Sequence, residues 1–148
     1  MASMEAPCEA NRLFALVEQL TEYSQWMPLA HRVVQAEAGP DGRPAWDVEL
    51  RARVGPLARS KRLRMVRTVH DAERGTVTFE RDERDGRQHS TWVLSATVVE
   101  TGAGSRLDMH LHYGGALWTG GLMERVLADQ ITAGRERLLT VVANQVEN

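Results

Sequence analysis

The sequence predicts an α+β fold in which a curved antiparallel sheet wraps a long C-terminal helix, with two short helices after the N-terminus. Three observations carry this. Apolar residues run at helical spacing near the start, alternate with polar ones from Val33 to Tyr113, and return to helical spacing after Gly120-Gly121. The sheet and the last helix each keep one apolar side, and both sides are buried together only if the sheet curls around the helix.

The elements follow in order. Pro7 suits a first helical turn, and Leu13, Phe14, Leu16, Val17 and Leu20 then keep a helical spacing. A shorter helical segment is expected from Glu22 to about His31, bent at Pro28, whose ring is not accommodated inside a helix. Ala38-Gly-Pro-Asp-Gly-Arg43 reads as a loop. Trp46, Val48, Leu50, Ala52 and Val54 alternate with Asp47, Glu49, Arg51 and Arg53, which predicts a strand with one apolar face. Gly55-Pro56 turns the chain into a strand whose apolar parity is set by Leu63, Met65 and Val69. Val77 and Phe79 mark the next, ended at Arg84-Asp-Gly-Arg87, where Asp-Gly favours a hairpin turn. Trp92, Leu94, Ala96 and Val98, then Leu107, Met109, Leu111 and Tyr113, give two more strands about Gly102-Ala-Gly104. From Leu122 to Val146 the apolar residues again mark one side of a helix. Gly134 inside it costs about 1 kcal/mol relative to alanine, which points either to close backbone packing or to room beneath the helix.

With 148 residues, 1–148 is expected to be a single domain, large enough to bury roughly 70% of its unfolded surface. No apolar run approaches the roughly 20 residues of a bilayer span, so no membrane insertion is expected. Met-Ala-Ser-Met-Glu lacks the basic end and apolar stretch of a secretory signal, and the expected location is cytoplasmic. Cys8 is the only cysteine, which excludes an internal disulfide and a zinc site built on several thiolates. The net charge of -2 is unevenly spread, because residues 51–67 hold seven bases and no acid. That segment reads first as a solvated hairpin face. It has no interleaved aromatic, and the chain's pI of about 6.2 is too low for a general nucleic-acid binder.

Ala6-Pro7-Cys8-Glu-Ala-Asn-Arg-Leu-Phe14, Tyr23-Ser-Gln-Trp26-Met-Pro28 at the bend, and Tyr113-Gly-Gly-Ala-Leu-Trp-Thr-Gly-Gly121 before the last helix occur in an order that resembles the START-like, or SRPBCC, superfamily. That group includes polyketide cyclases and dehydrases and lipid-transport-like proteins, and the resemblance covers almost the whole chain. It implies a helix-grip fold with a cavity between the sheet and the C-terminal helix, closed at one end by the segment around Trp26. Members begin with a full edge strand, whereas Met1 to Glu5 offers only a stub, so that strand is expected to be short or absent.

Given the strand parities, the inward face holds Trp46, Leu50, Met65, Phe79, Trp92, Met109 and Tyr113, roofed by Met123. Large aromatics with adaptable methionines suit a flat, mostly apolar guest, which the Tyr113 hydroxyl would orient. Arg67 and Arg81 share the apolar parity of their strands, so each either binds an acidic or enolising ligand or reaches solvent at a strand end. These ten residues are the candidate ligand set. His110 and His112 share a face, but it is that of Arg106 and Asp108, so they read as a surface pair and not as metal ligands. Trp26 reads as a plug in preference to a ligand contact. The glycine pairs at 114–115 and 120–121 match no phosphate-binding motif and read as hinges beside Trp118.

The leading functional expectation is binding or transport of a small hydrophobic molecule, aromatic, polyketide or lipid-like, without a metal or nucleotide cofactor. A polyketide cyclase or aromatase is the alternative, with Arg67, Arg81 or Tyr113 polarising a carbonyl. A regulatory module that meets its partner through residues 51–67 is the third. No catalytic residue is assigned, and a homodimer is allowed for.

Overall fold

A computed structural model describes residues 2–54, 56–114 and 122–147, side chains at 52–54, 57, 59, 122–124 and 145–147 excepted. Its order is β1 (Ala2–Ala6), α1 (Ala10–Ala15), α2 (Leu20–Tyr23), β2 (Ala30–Ala36), β3 (Ala45–Val54), β4 (Leu57–Asp71), β5 (Thr76–Arg81), β6 (Trp92–Thr101), β7 (Gly104–Tyr113) and α3 (Leu122–Glu147). The strands form one antiparallel sheet in the order β1-β7-β6-β5-β4-β3-β2. The first strand rejoins the last, and the curled sheet closes on α3 as the helix-grip reading requires.

Register follows the predicted parities through the middle of the sheet. Val48 faces Leu63, Trp46 faces Met65, Phe79 faces Leu94 and Ala96 faces Met109, so one apolar row crosses β3 to β7. Leu127, Ile131, Leu138 and Val142 of α3 are buried in the same cluster. Opposite this row the outer face alternates in charge, with Arg62 across from Glu49 and Arg64 across from Asp47. The acids of β3 therefore partner the bases of the adjoining strand, as a solvated hairpin face would have them.

The edge strand, expected to be short or absent, is present and is the shortest of the seven: Ala2, Met4 and Ala6 are buried while Ser3 and Glu5 face out, and residues 2–6 pair with β7. Three expectations need correction. The first helix stops at Ala15, and the second covers only Leu20–Tyr23, with Ala30 already in a strand. Val69 does not share the face of Leu63 and Met65. A bulge between Arg67 and Val69 inserts Thr68, turns Val69 outward to 45% exposure, and puts His70 on the helix side against Phe14. Asp85-Gly86 lies within a longer connection, 82–91, between β5 and β6. His110 and His112 are exposed as expected.

Gly134 marks close packing. A Cβ there would overlap the carbonyl oxygen of Trp26 and sit 3.3 Å from its indole Cε3. The absent side chain lets α3 touch the bend, and the Gln130 side chain accepts from Leu29 N–H at 2.6 Å one turn away. No helix among the described residues is long and apolar enough to cross a membrane.

Candidate functional site

One end of the grip is sealed by polar contacts to a short piece of main chain. Tyr23 Oη donates to Val17 O at 2.9 Å, Trp26 Nε1 to Leu16 O at 3.3 Å and Arg67 Nη1 to Glu18 O at 2.8 Å. Trp46 Nε1 donates to Thr21 Oγ1 at 3.0 Å. The aromatic bodies pack below, with Phe79 edge-on to both Trp46 and Tyr23. Trp26 is wholly buried here, in the plugging place expected of it. Burial pushes the Tyr23 phenol up from its ordinary value, and burial likewise pulls the Arg67 guanidinium down, opposed by the nearby Glu18 carboxylate.

Beyond this plug lies a hollow of about 60 Å³, bounded by Leu20, Tyr23, Met27, Leu29, Ala30, Val33, Val48, Leu50, Leu63, Met65, Trp92, Leu94, Leu111 and Leu127. It sits between the inner sheet face and α3. Only Tyr23 and Trp92 bring polar atoms to it, and the Tyr23 hydroxyl is already engaged. The volume equals roughly two waters at about 30 Å³ each, but an apolar void without hydrogen-bonding partners stays dry. Larger recesses, of about 480 Å³ beside Arg32, Glu49 and Arg62 and about 630 Å³ beside Asn11, Glu73 and Glu100, are lined by charged side chains.

Of the ten candidate residues, Leu50, Met65 and Trp92 line the hollow. Trp46, Phe79 and Met109 are fully buried and form the packed core beside it. Tyr113 lies against Trp92 with ring centroids 4.8 Å apart. The Met123 side chain lies outside the described residues, as do Trp118 and the glycines at 115, 120 and 121. Neither arginine borders the hollow. Arg67 is engaged in the plug, with its guanidinium 5.8 Å from the Trp46 ring. Arg81, whose side chain is only 8% exposed, donates to Glu83 at 3.1 Å and to Ser90 Oγ at 3.2 Å. It also meets His89 Nδ1 at 3.3 Å, and His89 Nε2 meets Asp85 at 2.8 Å. The backbone N–H of Arg87, then His89, holds the Asp85 carboxyl below its usual range. This network fixes connection 82–91 and with it the start of β6 at Trp92.

Parity missed Tyr23 and Met27, which reach the hollow from the bend. Their spacing of four was the available signal, since it puts both on one side of a helical turn. Among the described residues no group of three or more His, Cys, Asp or Glu side chains is arranged to hold a metal.

This grip with an apolar interior defines a class, and comparison with known proteins agrees. Residues 2–147 match the family described as polyketide cyclase / dehydrase and lipid transport, and the chain belongs to that family. No curated protein sequence matches it. Among solved structures, a protein of Thermus thermophilus superposes with a TM-score of 0.72 at 15% identity, over 97% of this chain and 96% of its own. A START superfamily protein from Mycobacterium smegmatis gives 0.65 at 15%, over 97% and 95%. The di-domain aromatase/cyclase StfQ of the steffimycin biosynthetic pathway gives 0.65 at 12%, over 99% of this chain and 50% of its own. At such identities the likeness is one of fold.

Proposed function

We propose that the protein binds a small hydrophobic molecule in the hollow between the sheet and α3. The observation that carries this reading is the apolar hollow itself, left unfilled by side chains where protein interiors ordinarily pack to a density of about 0.75. Drug-sized ligands occupy roughly 300–1,000 Å³, so a space of about 60 Å³ admits one only if its walls give way. Met27 and Met65, unbranched and adaptable, stand on those walls.

Cyclisation is less well supported. It needs a polar group at the reacting carbonyl; of the three offered, the two arginines are bonded elsewhere, to Glu18 O and to Glu83 with Ser90, and Tyr113 lies against Trp92 and does not line the hollow. The partner-module reading loses ground because Arg62 and Arg64 stand opposite Glu49 and Asp47.

Native mass spectrometry of freshly expressed protein is expected to reveal a co-purified apolar compound, or to show uptake of one from a hydrophobic panel. Leu94→Trp, which fills the hollow, should abolish uptake while the circular dichroism spectrum persists. A chain that stays bare against the whole panel would overturn the reading.

A further inference from the structure

The rim of the hollow carries polar groups that neither the packing nor the binding reading employs. Trp92 borders the hollow and is 8% exposed, yet its Nε1 is buried and has no acceptor among the described residues. A donor stripped of water is favoured where an acceptor meets it, so the Trp92 N–H is a place at which a ligand oxygen would be held. Lys61 comes from β4 with the inward parity of Leu63, at a level where β5 has already ended, and its ammonium lies 6.0 Å from the centre of the Trp92 ring. The neighbouring bases of that strand face acids, Arg62 with Glu49 and Arg64 with Asp47, whereas Lys61 faces Leu50. Among the described residues it forms no ion pair. An exposed ammonium thus stands over the ring of a tryptophan that borders the apolar space and whose own N–H is buried.

We propose that the ligand is an amphipathic carboxylic acid, with its apolar body in the hollow and its carboxylate at the rim between the Lys61 ammonium and the Trp92 indole N–H. The proposal rests on the binding reading above and adds the head group. Two donors match the two oxygens of a carboxylate, and a charge-assisted hydrogen bond is about twice as strong as a neutral one. A phosphate monoester would bring three oxygens and up to two charges, more than this pair satisfies. Arg81 lies close by in the chain's folded course but is held by Glu83 and Ser90, so the long flexible stem of Lys61 supplies the cation. Tyr113, tilted at 54° against Trp92 with ring centroids 4.8 Å apart, keeps the indole in place.

The test is calorimetric titration with two matched pairs, dodecanoic acid against dodecan-1-ol and 2-naphthoic acid against 2-naphthalenemethanol. In at least one pair the acid is expected to bind about tenfold more tightly than its alcohol. Lys61→Gln should bring that ratio close to one by weakening the acid much more than the alcohol, and Trp92→Phe, which keeps a ring but removes the donor, should narrow it. Lys61 is exposed, so its substitution is readable even if Trp92→Phe fails to fold. Equal affinity of acid and alcohol overturns the head-group assignment and leaves the hydrophobic site standing. An acid preference that survives Lys61→Gln overturns it as well. Failure of all four compounds to bind folded protein removes both readings.

Discussion

Tyr23, Trp26, Trp46 and Arg67 do the same work from four places: each puts an apolar or aliphatic body into the core and bonds its polar tip to residues 16–21. Removing the Tyr23 tip leaves the carbonyl of buried Val17 unpaired, which costs about 1–3 kcal/mol. Tyr23→Phe should therefore lower stability by about that much near neutral pH, read by denaturant unfolding. Its pH dependence distinguishes the cause. Burial holds the Tyr23 phenol above its ordinary value of 10.0, so above that pH the unfolded chain releases a proton that the folded chain retains. Stability from this group is complete below pH about 10 and falls by about 1.4 kcal/mol per pH unit above it. The phenylalanine variant lacks that slope, so its deficit should shrink by about 1 kcal/mol between pH 9 and 11. A constant deficit would show that the phenol is not held protonated by the fold. Trp26 as a plug was legible from the Trp-x-Pro bend. The meeting of four donors was not, because their acceptors are mostly main-chain carbonyls, which every residue possesses alike.

Among elements, α3 and the bend depend on each other through one missing side chain. A Cβ at Gly134 would overlap Trp26 O, so Gly134→Ala sets a helix-propensity gain of about 1 kcal/mol against an overpacking cost of about 1–3 kcal/mol, here against main chain that has little freedom to move. A net loss of up to about 2 kcal/mol is expected, measured as a lower melting temperature, and a stabilised variant would show that the helix does not dock this tightly. The sequence offered both close packing and spare room at this glycine, and only the neighbour across the interface decides between them. Periods of two and of 3.6 revealed the long elements because each buries a continuous face. They failed where that face is short or broken. β1 offers only Ala2, Met4 and Ala6, α1 hands Leu16 and Val17 to the core from outside the helix, and the extra Thr68 reverses parity within β4.

At the level of the molecule, the location of the hollow under the grip was expected from the resemblance, but its size was not. Volume is a difference between what the sheet encloses and what side chains fill, and no residue type records it. How it would open follows from where α3 is fastened. From Gln130 onward the helix is tied down, by Leu29 N–H to Gln130, by Gly134 against Trp26 and by Arg135 to Glu5 O at 3.3 Å. Before Gln130, Leu127 is the α3 residue that borders the hollow among the described side chains. On the proposed binding reading, a ligand larger than about 60 Å³ is expected to displace the first two turns of α3 and the methionines beneath in preference to tilting the whole helix. Binding stabilises by about 2.7 kcal/mol at a ligand concentration a hundredfold above Kd, and that stabilisation is distributed to the parts that moved. Hydrogen exchange with and without dodecanoic acid should show the largest gain in protection at residues 122–129 and little change at 134–142, which the anchors already hold. Protection raised evenly along α3 would mean that the helix moves as one rigid rod and that its anchors yield with it.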